Sequence, residues 1–246
     1  MQAAVGSHCI DCAKAARPDV ATRAKYWNAR QHTLVTYTLM AINIAVFVFV
    51  AVADPSSLGG GGVTKAQFDL GLNEFFLVGG RNEWYRLVTS GFLHFGVIHL
   101  AFNMLMLYQL GQLLERSLGR AKFALLYGAS LLGGSFGVLL VGGRGITGGA
   151  SGAVFGLMAA AAIGFKRQGV NVMSTGLGTT LMINFVITFA IPGISKGGHV
   201  GGAIAGAICG FVMLAPRWKP VPSWAKWATP VAVAVISVVG SVLVVA

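Results

Sequence analysis

The chain has 246 residues, of which 18 are basic, 7 acidic and 55% hydrophobic. Charged residues make up 10%, against about 25% in water-soluble domains, so a water-facing globule is excluded. The 35 glycines follow no G-X-Y repeat and form no polar low-complexity tract, which removes collagen-like and disordered classes and leaves a polytopic membrane protein with closely packed helices.

Residues 1–33 are polar and lack the apolar core of a signal peptide, so the chain reads as mature protein with an exposed N-terminal tail. Seven apolar stretches follow, at 34–53, 92–114, 121–141, 150–165, 172–191, 197–215 and 228–246. The first is long enough for a hydrocarbon core of about 30 Å. With the N-terminus inside, thirteen Lys and Arg residues fall in inner segments and five in outer ones, namely Lys65, Arg81, Arg86, Arg144 and Lys196. By the positive-inside rule the +11 net charge is therefore an orientation, with a cytoplasmic N-terminus in the cell membrane. No interleaved basic and aromatic patch points to nucleic acid. The first outer loop, 54–91, carries Phe75, Phe76, Trp84 and Tyr85. It reads either as a segment lying partly in the outer leaflet or as a flexible connector.

Polar groups inside the membrane are costly and mark function. The second span contains His94, His99 and Asn103, the fourth begins at Gly148, Gly149 and Ser151, and the sixth begins near His199. Asn43 and Asn184 stand alone and read as interhelical hydrogen bonds. Helix rise measured from each span's inner charge puts Ser151 roughly 22 Å up, His99 about 24 Å, His199 about 27 Å and Asn103 about 18 Å. They share one layer below the outer surface. Two small-residue stripes at spacing four, Gly152–Gly156–Ala160–Gly164 and Gly198–Gly202–Gly206–Gly210, let the fourth and sixth spans approach closely.

A serine becomes nucleophilic when a neighbouring base takes its proton, and histidine is the usual base. None of the seven acids falls at this layer: Asp11 and Asp19 are in the tail, Asp54, Asp69, Glu74 and Glu83 in the first outer loop, and Glu115 at the inner face. The simplest hydrolytic device is therefore a Ser151–His199 dyad. Ser151 opens a helix, so its backbone N–H is free for an oxyanion, and His99 and Asn103 offer side-chain donors.

Trp84-Tyr85-Arg86, His94, His99-x-x-x-Asn103, Glu115-Arg116, Gly149-Ala150-Ser151-Gly152 and Gly198-His199-Val200-Gly201-Gly202 with Gly206 together resemble the rhomboid family of intramembrane serine proteases. The likeness covers about 34–215. It implies an all-α, polytopic membrane helical bundle with a six-span core, followed by a linker and a seventh C-terminal transmembrane helix over 216–246. It also implies a Ser151 nucleophile, a His199 general base and an oxyanion hole of His99, Asn103 and the Ser151 amide. Arg86, His94, Glu115, Gly149, Gly152, Gly202 and Gly206 take structural or supporting roles. The implied substrates are single-span membrane proteins cut near the outer end of their helix, with no cofactor. In the tail, His8-Cys9-x-x-Cys12 resembles half of a structural zinc site, which normally takes four ligands. It reads as the remnant of a finger, with bound zinc or a redox pair as alternatives. Cys209 reads as packing. Two further classes fit the pattern less well: a non-proteolytic rhomboid-like protein that binds membrane clients, and a small transporter or channel. The spans hold no ion-pairing charges and show no inverted repeat, which counts against transport.

Overall fold

Helix boundaries follow the punctuation in the sequence. The computed structural model describes residues 32–60, 62–142 and 145–246, so the tail that carries His8, Cys9 and Cys12 lies outside the described residues. Residues Thr33–Ala246 form one unit. Among the described residues there are nine α-helices and no strand. They are α1 (Leu34–Ala53), α2 (Lys65–Leu70), α3 (Arg86–Thr89), α4 (Val97–Leu118) and α5 (Arg120–Val141). The remainder are α6 (Ser151–Arg167), α7 (Gly176–Ala190), α8 (Lys196–Met213) and α9 (Ala225–Val245). The protein is an all-α, multi-pass membrane bundle.

Four helices, α1, α4, α5 and α9, are long and apolar enough to cross a membrane. Each of the seven apolar stretches read from the sequence carries a helix. The other three helices occupy the expected places but are short, at 17, 15 and 18 residues for α6, α7 and α8. The shortfall in α6 and α8 has a physical cause. Residues 145–149 and 193–195, just before these helices, are non-helical and line a cavity. Irregular backbone at membrane depth is tolerated where it lines such a space.

The second span also starts later than expected. Gly96 has φ +94°, a conformation that a helix cannot continue through, and α4 begins at Val97. His94 therefore precedes the helix instead of lying on it. At the other end Gly119, with φ +82°, closes α4 and opens α5 at once. The start of α1 is satisfied from α4. Glu115 accepts from the backbone N–H groups of Val35 (3.0 Å) and Thr36 (2.8 Å) and from the Thr36 hydroxyl (2.6 Å). A buried carboxylate thus caps a helix that lacks a capping side chain of its own.

The centre of the bundle is α8, packed against α5 and α6. A methyl group on Gly202 would overlap the carbonyl of Gly152, and one on Gly206 the carbonyl of Gly156. One on Gly210 would press on Ala160. The pairs advance together, so α6 and α8 run parallel, and the two predicted stripes face each other down to Ala160. Gly164, the last residue of its stripe, meets Leu214 instead. A second glycine face was not anticipated. Gly201 abuts the carbonyl of Gly133 and Gly137 that of Gly197, an antiparallel match between α8 and α5. Gly197-x-x-x-Gly201 and Gly133-x-x-x-Gly137 carry the same spacing-four signal. The C-terminal helix α9 packs on α5 and α8, with Gly240 under the ring of Phe136.

The described part of the 54–91 loop is folded, which rules out the flexible-connector reading. Thr64 and Gln67 form a reciprocal cap at the start of α2. Arg86, buried, donates from Nη1 to the carbonyls of Phe68 (2.6 Å) and Gly71 (2.7 Å) and from Nε to Glu83 (2.7 Å). Its guanidinium also lies 3.8 Å from the Phe76 ring centroid. The Tyr85 hydroxyl, and then Arg86, hold the Glu83 carboxyl below the usual carboxylate range, while Glu83 pushes the Tyr85 phenol up.

Candidate active site

The parallel register of α6 and α8 sets two side chains against each other. Ser151 is the first residue of α6, and His199 lies one turn into α8. Their Oγ and Nε2 atoms are 2.8 Å apart, within reach of proton transfer. The imidazole is stacked on Phe155, with centroids 4.1 Å apart and planes 16° apart. Phe155 stands one turn below Ser151 on the same face of α6 and so fixes the ring plane. The other ring nitrogen, Nδ1, lies 2.8 Å from the hydroxyl of Thr188 on α7. Neither Phe155 nor Thr188 was singled out from the sequence. Phe155 had a signal, an aromatic residue four positions after the serine; Thr188 sits in an apolar run with nothing to mark it.

Ser151, His199, His99, Asn103, Gly149 and Asn184 line one cavity of about 1090 Å³. The ring of His99 reaches it with a defined polarity. Its Nδ1 accepts from the backbone N–H of Phe95 at 3.3 Å, which leaves Nε2 to carry the proton. A methyl group on Gly149 would lie 3.0 Å from that Nε2 and 3.5 Å from Ser151 Oγ. The glycine, with φ +139°, thus keeps open the space between the His99 ring and the Ser151 hydroxyl. Asn103 donates one amide hydrogen to the His99 carbonyl at 2.9 Å and retains a second. His94 is buried behind the cavity, edge-on to His99 at 5.0 Å, and its carbonyl accepts from Gln67. It supports a wall rather than lining one.

The segment before Ser151 is pinned from the 54–91 loop. Leu72 and Thr147 exchange backbone hydrogen bonds of 2.8 and 2.9 Å, and the Gly149 N–H donates to the Ser90 carbonyl at 2.8 Å. Arg86 holds the Gly71 carbonyl next to Leu72, so its anchoring reaches the serine through three short steps. The two lone amides differ. The amide nitrogens of Asn43 and Asn184 both bond to carbonyls four residues back in their own helices, Leu39 and Thr180, while the Asn43 side chain also meets the Tyr127 hydroxyl of α5, the interhelical partner expected of it. A helix carbonyl one turn back is within reach of any asparagine without help from packing. Cys209 is buried in the core, as expected.

A family model described as Rhomboid domain matches residues 81–216. The chain is 32% identical over 152 residues to rhomboid protease GluP of Bacillus subtilis (strain 168), an overlap of 61% of this chain and 29% of that protein. It is 38% identical over 114 residues to RHOMBOID-like protein 1 of Arabidopsis thaliana, covering 46% of this chain and 29% of that one. With rhomboid-type serine protease 2 of Emericella nidulans it shares 37% over 82 residues, 32% of this chain and 16% of that one. The matched segments span less than a third of the length of each of these curated relatives.

Proposed function

The chain belongs to the rhomboid family, and from that premise we propose that it is an intramembrane serine endopeptidase working by a Ser151–His199 dyad. The observation that carries the reading is the 2.8 Å contact of Ser151 Oγ with His199 Nε2 at the wall of a large cavity. In the first half-reaction His199 takes the hydroxyl proton as Oγ attacks the scissile carbonyl. The oxyanion is held by the Ser151 N–H, His99 Nε2–H and the second amide hydrogen of Asn103, each such donor being worth on the order of 10²–10³ in turnover. The imidazolium then gives its proton to the leaving amine. In the second half, His199 takes a proton from water, the hydroxide attacks the Ser151 ester, and the carboxylate product leaves with the serine restored. Bond making and proton transfer in this scheme use two side chains and water, with no cofactor.

Substrates in this reading are single-span membrane proteins, reached within the bilayer and cut where their helix gives way to extended chain. The thirteen-to-five distribution of basic residues supports a cell-membrane placement with the N-terminus cytoplasmic and the site opening to the outer side. The test is covalent labelling by a fluorophosphonate probe in detergent, together with cleavage of a model single-span substrate. Ser151→Ala is expected to abolish labelling, and either Ser151→Ala or His199→Ala to lower turnover by at least about 10⁴-fold. Equal labelling of wild type and Ser151→Ala, or full cleavage by His199→Ala in folded protein, would overturn the dyad.

A further inference from the structure

We infer that Thr188 is a positioning residue that fixes His199 in the tautomer able to accept the serine proton. The inference rests on the dyad reading and adds the group that orients its base. One hydroxyl touches two partners: Thr188 Oγ1 lies 2.7 Å from the Asn184 carbonyl and 2.8 Å from His199 Nδ1. A carbonyl only accepts, so the hydroxyl hydrogen belongs on the Asn184 side. Oγ1 then faces the imidazole with a lone pair, and Nδ1 must be the donor. A neutral imidazole with its hydrogen on Nδ1 leaves Nε2 bare, and Nε2 is the atom facing Ser151. Each hydrogen has one acceptor along the line Ser151 to His199 to Thr188 to the Asn184 carbonyl. The opposite tautomer would set two lone pairs, those of Nδ1 and Oγ1, against each other.

Burial makes the arrangement binding on the ring. Thr188 is 1% exposed and His199 8%, so water has little access to the Nδ1 side if the hydroxyl is removed. When His199 takes the serine proton at Nε2, the hydrogen on Nδ1 stays in place and its bond to Oγ1 becomes charge-assisted, hence stronger in the transition state than before it. A neutral hydroxyl, itself anchored to a helix carbonyl, thus fills the orienting position that a carboxylate holds in a triad. No carboxylate is needed there, which fits the positions of the seven acids. Because the bond strengthens as charge develops, its loss acts on kcat and leaves KM alone.

The experiment compares wild type, Thr188→Val and Thr188→Ser, using ¹⁵N-histidine NMR and the cleavage kinetics of a quenched fluorescent single-span peptide in the same micelles. The His199 resonances are identified by their loss in His199→Gln. The expected wild-type spectrum has the hydrogen on Nδ1, retained in Thr188→Ser and redistributed between the nitrogens in Thr188→Val. In the kinetics, Thr188→Val loses about tenfold in kcat at unchanged KM, the size of one hydrogen bond, and Thr188→Ser stays within about twofold of wild type. A wild-type spectrum with the hydrogen on Nε2 overturns the inference whether or not any variant folds. An unchanged spectrum and kcat in folded Thr188→Val overturns it as well. A wild type that neither cleaves nor takes the fluorophosphonate rejects the protease reading separately, while the tautomer still decides the role of Thr188.

Discussion

The bundle of α5, α6 and α8 buries backbone against backbone, whereas α7 is held along little more than one edge. Nine residues of α8 are buried, five of them glycines; of the fifteen residues of α7, only Gly178 and Thr188 are buried. Much of the remainder, including Met182, Phe185, Val186 and Phe189, is exposed and apolar, the surface a helix turns toward lipid chains. The difference separates two tasks. Ser151 and His199 sit on helices whose spacing is set by carbonyl oxygens resting against glycine, with no slack to take up. Thr188 and one wall of the cavity come from a helix with few ties to its neighbours. In the proposed mechanism the nucleophile and base are therefore built into the rigid part of the fold, and the group proposed to orient the base is carried by the loose part.

This contrast is open to direct attack. The largest effect is expected for Gly202→Val, which drives a branched side chain into the Gly152 backbone and should cost about 3 kcal/mol or more. Thermal unfolding in detergent reads it, and a melting curve like that of wild type would mean that the α6–α8 contact has room to spare. A smaller loss, about 1–2 kcal/mol, is expected for Glu115→Gln, which keeps the shape but removes the charge that caps α1. It separates the contribution of glycine packing from that of polar anchoring at the opposite end of the bundle. The smallest effect is expected on α7: Val186→Ala, at a site 58% exposed, should stay within about 0.5 kcal/mol of wild type. A loss there as large as at Gly202 would show that α7 is as firmly held as the core and erase the distinction.

Much of the site could be read from the chain because membrane depth turns sequence distance into height. Ser151, His199, His99 and Asn103 could be put in one layer by counting residues from an inner-face charge, and the structure puts all four on one cavity. The facing stripes of α6 and α8 were legible for a similar reason: spacing four is a helix face. His94 was misplaced because a single glycine, Gly96, interrupts a run whose composition is helical throughout. The α5–α8 glycine contact was missed although its spacing was visible, since a helix with small residues on two faces does not say which neighbours they meet. Thr188 was out of reach altogether. Its role depends on α7 passing beside the ring of His199, a tertiary fact, and threonine in an apolar run looks like any other β-branched residue. Asn184 departs from expectation in the other direction, because a lone amide in a span can find its acceptor one turn back without any partner helix.

The directions of the helices have a consequence for charge. His99 is the third residue of α4, Ser151 the first of α6 and His199 the fourth of α8, so three helices begin at the reacting layer. The aligned peptide dipoles of a helix leave about half a positive elementary charge at its start. Three such starts converge on one cleft, and in a medium of low dielectric their field decays slowly. The layer is thus electropositive before any ionised side chain is counted. In the proposed reaction, a negative charge that appears on a substrate oxygen there would form into a field made by the backbone, which the proposed donors His99 and Asn103 would focus onto one atom.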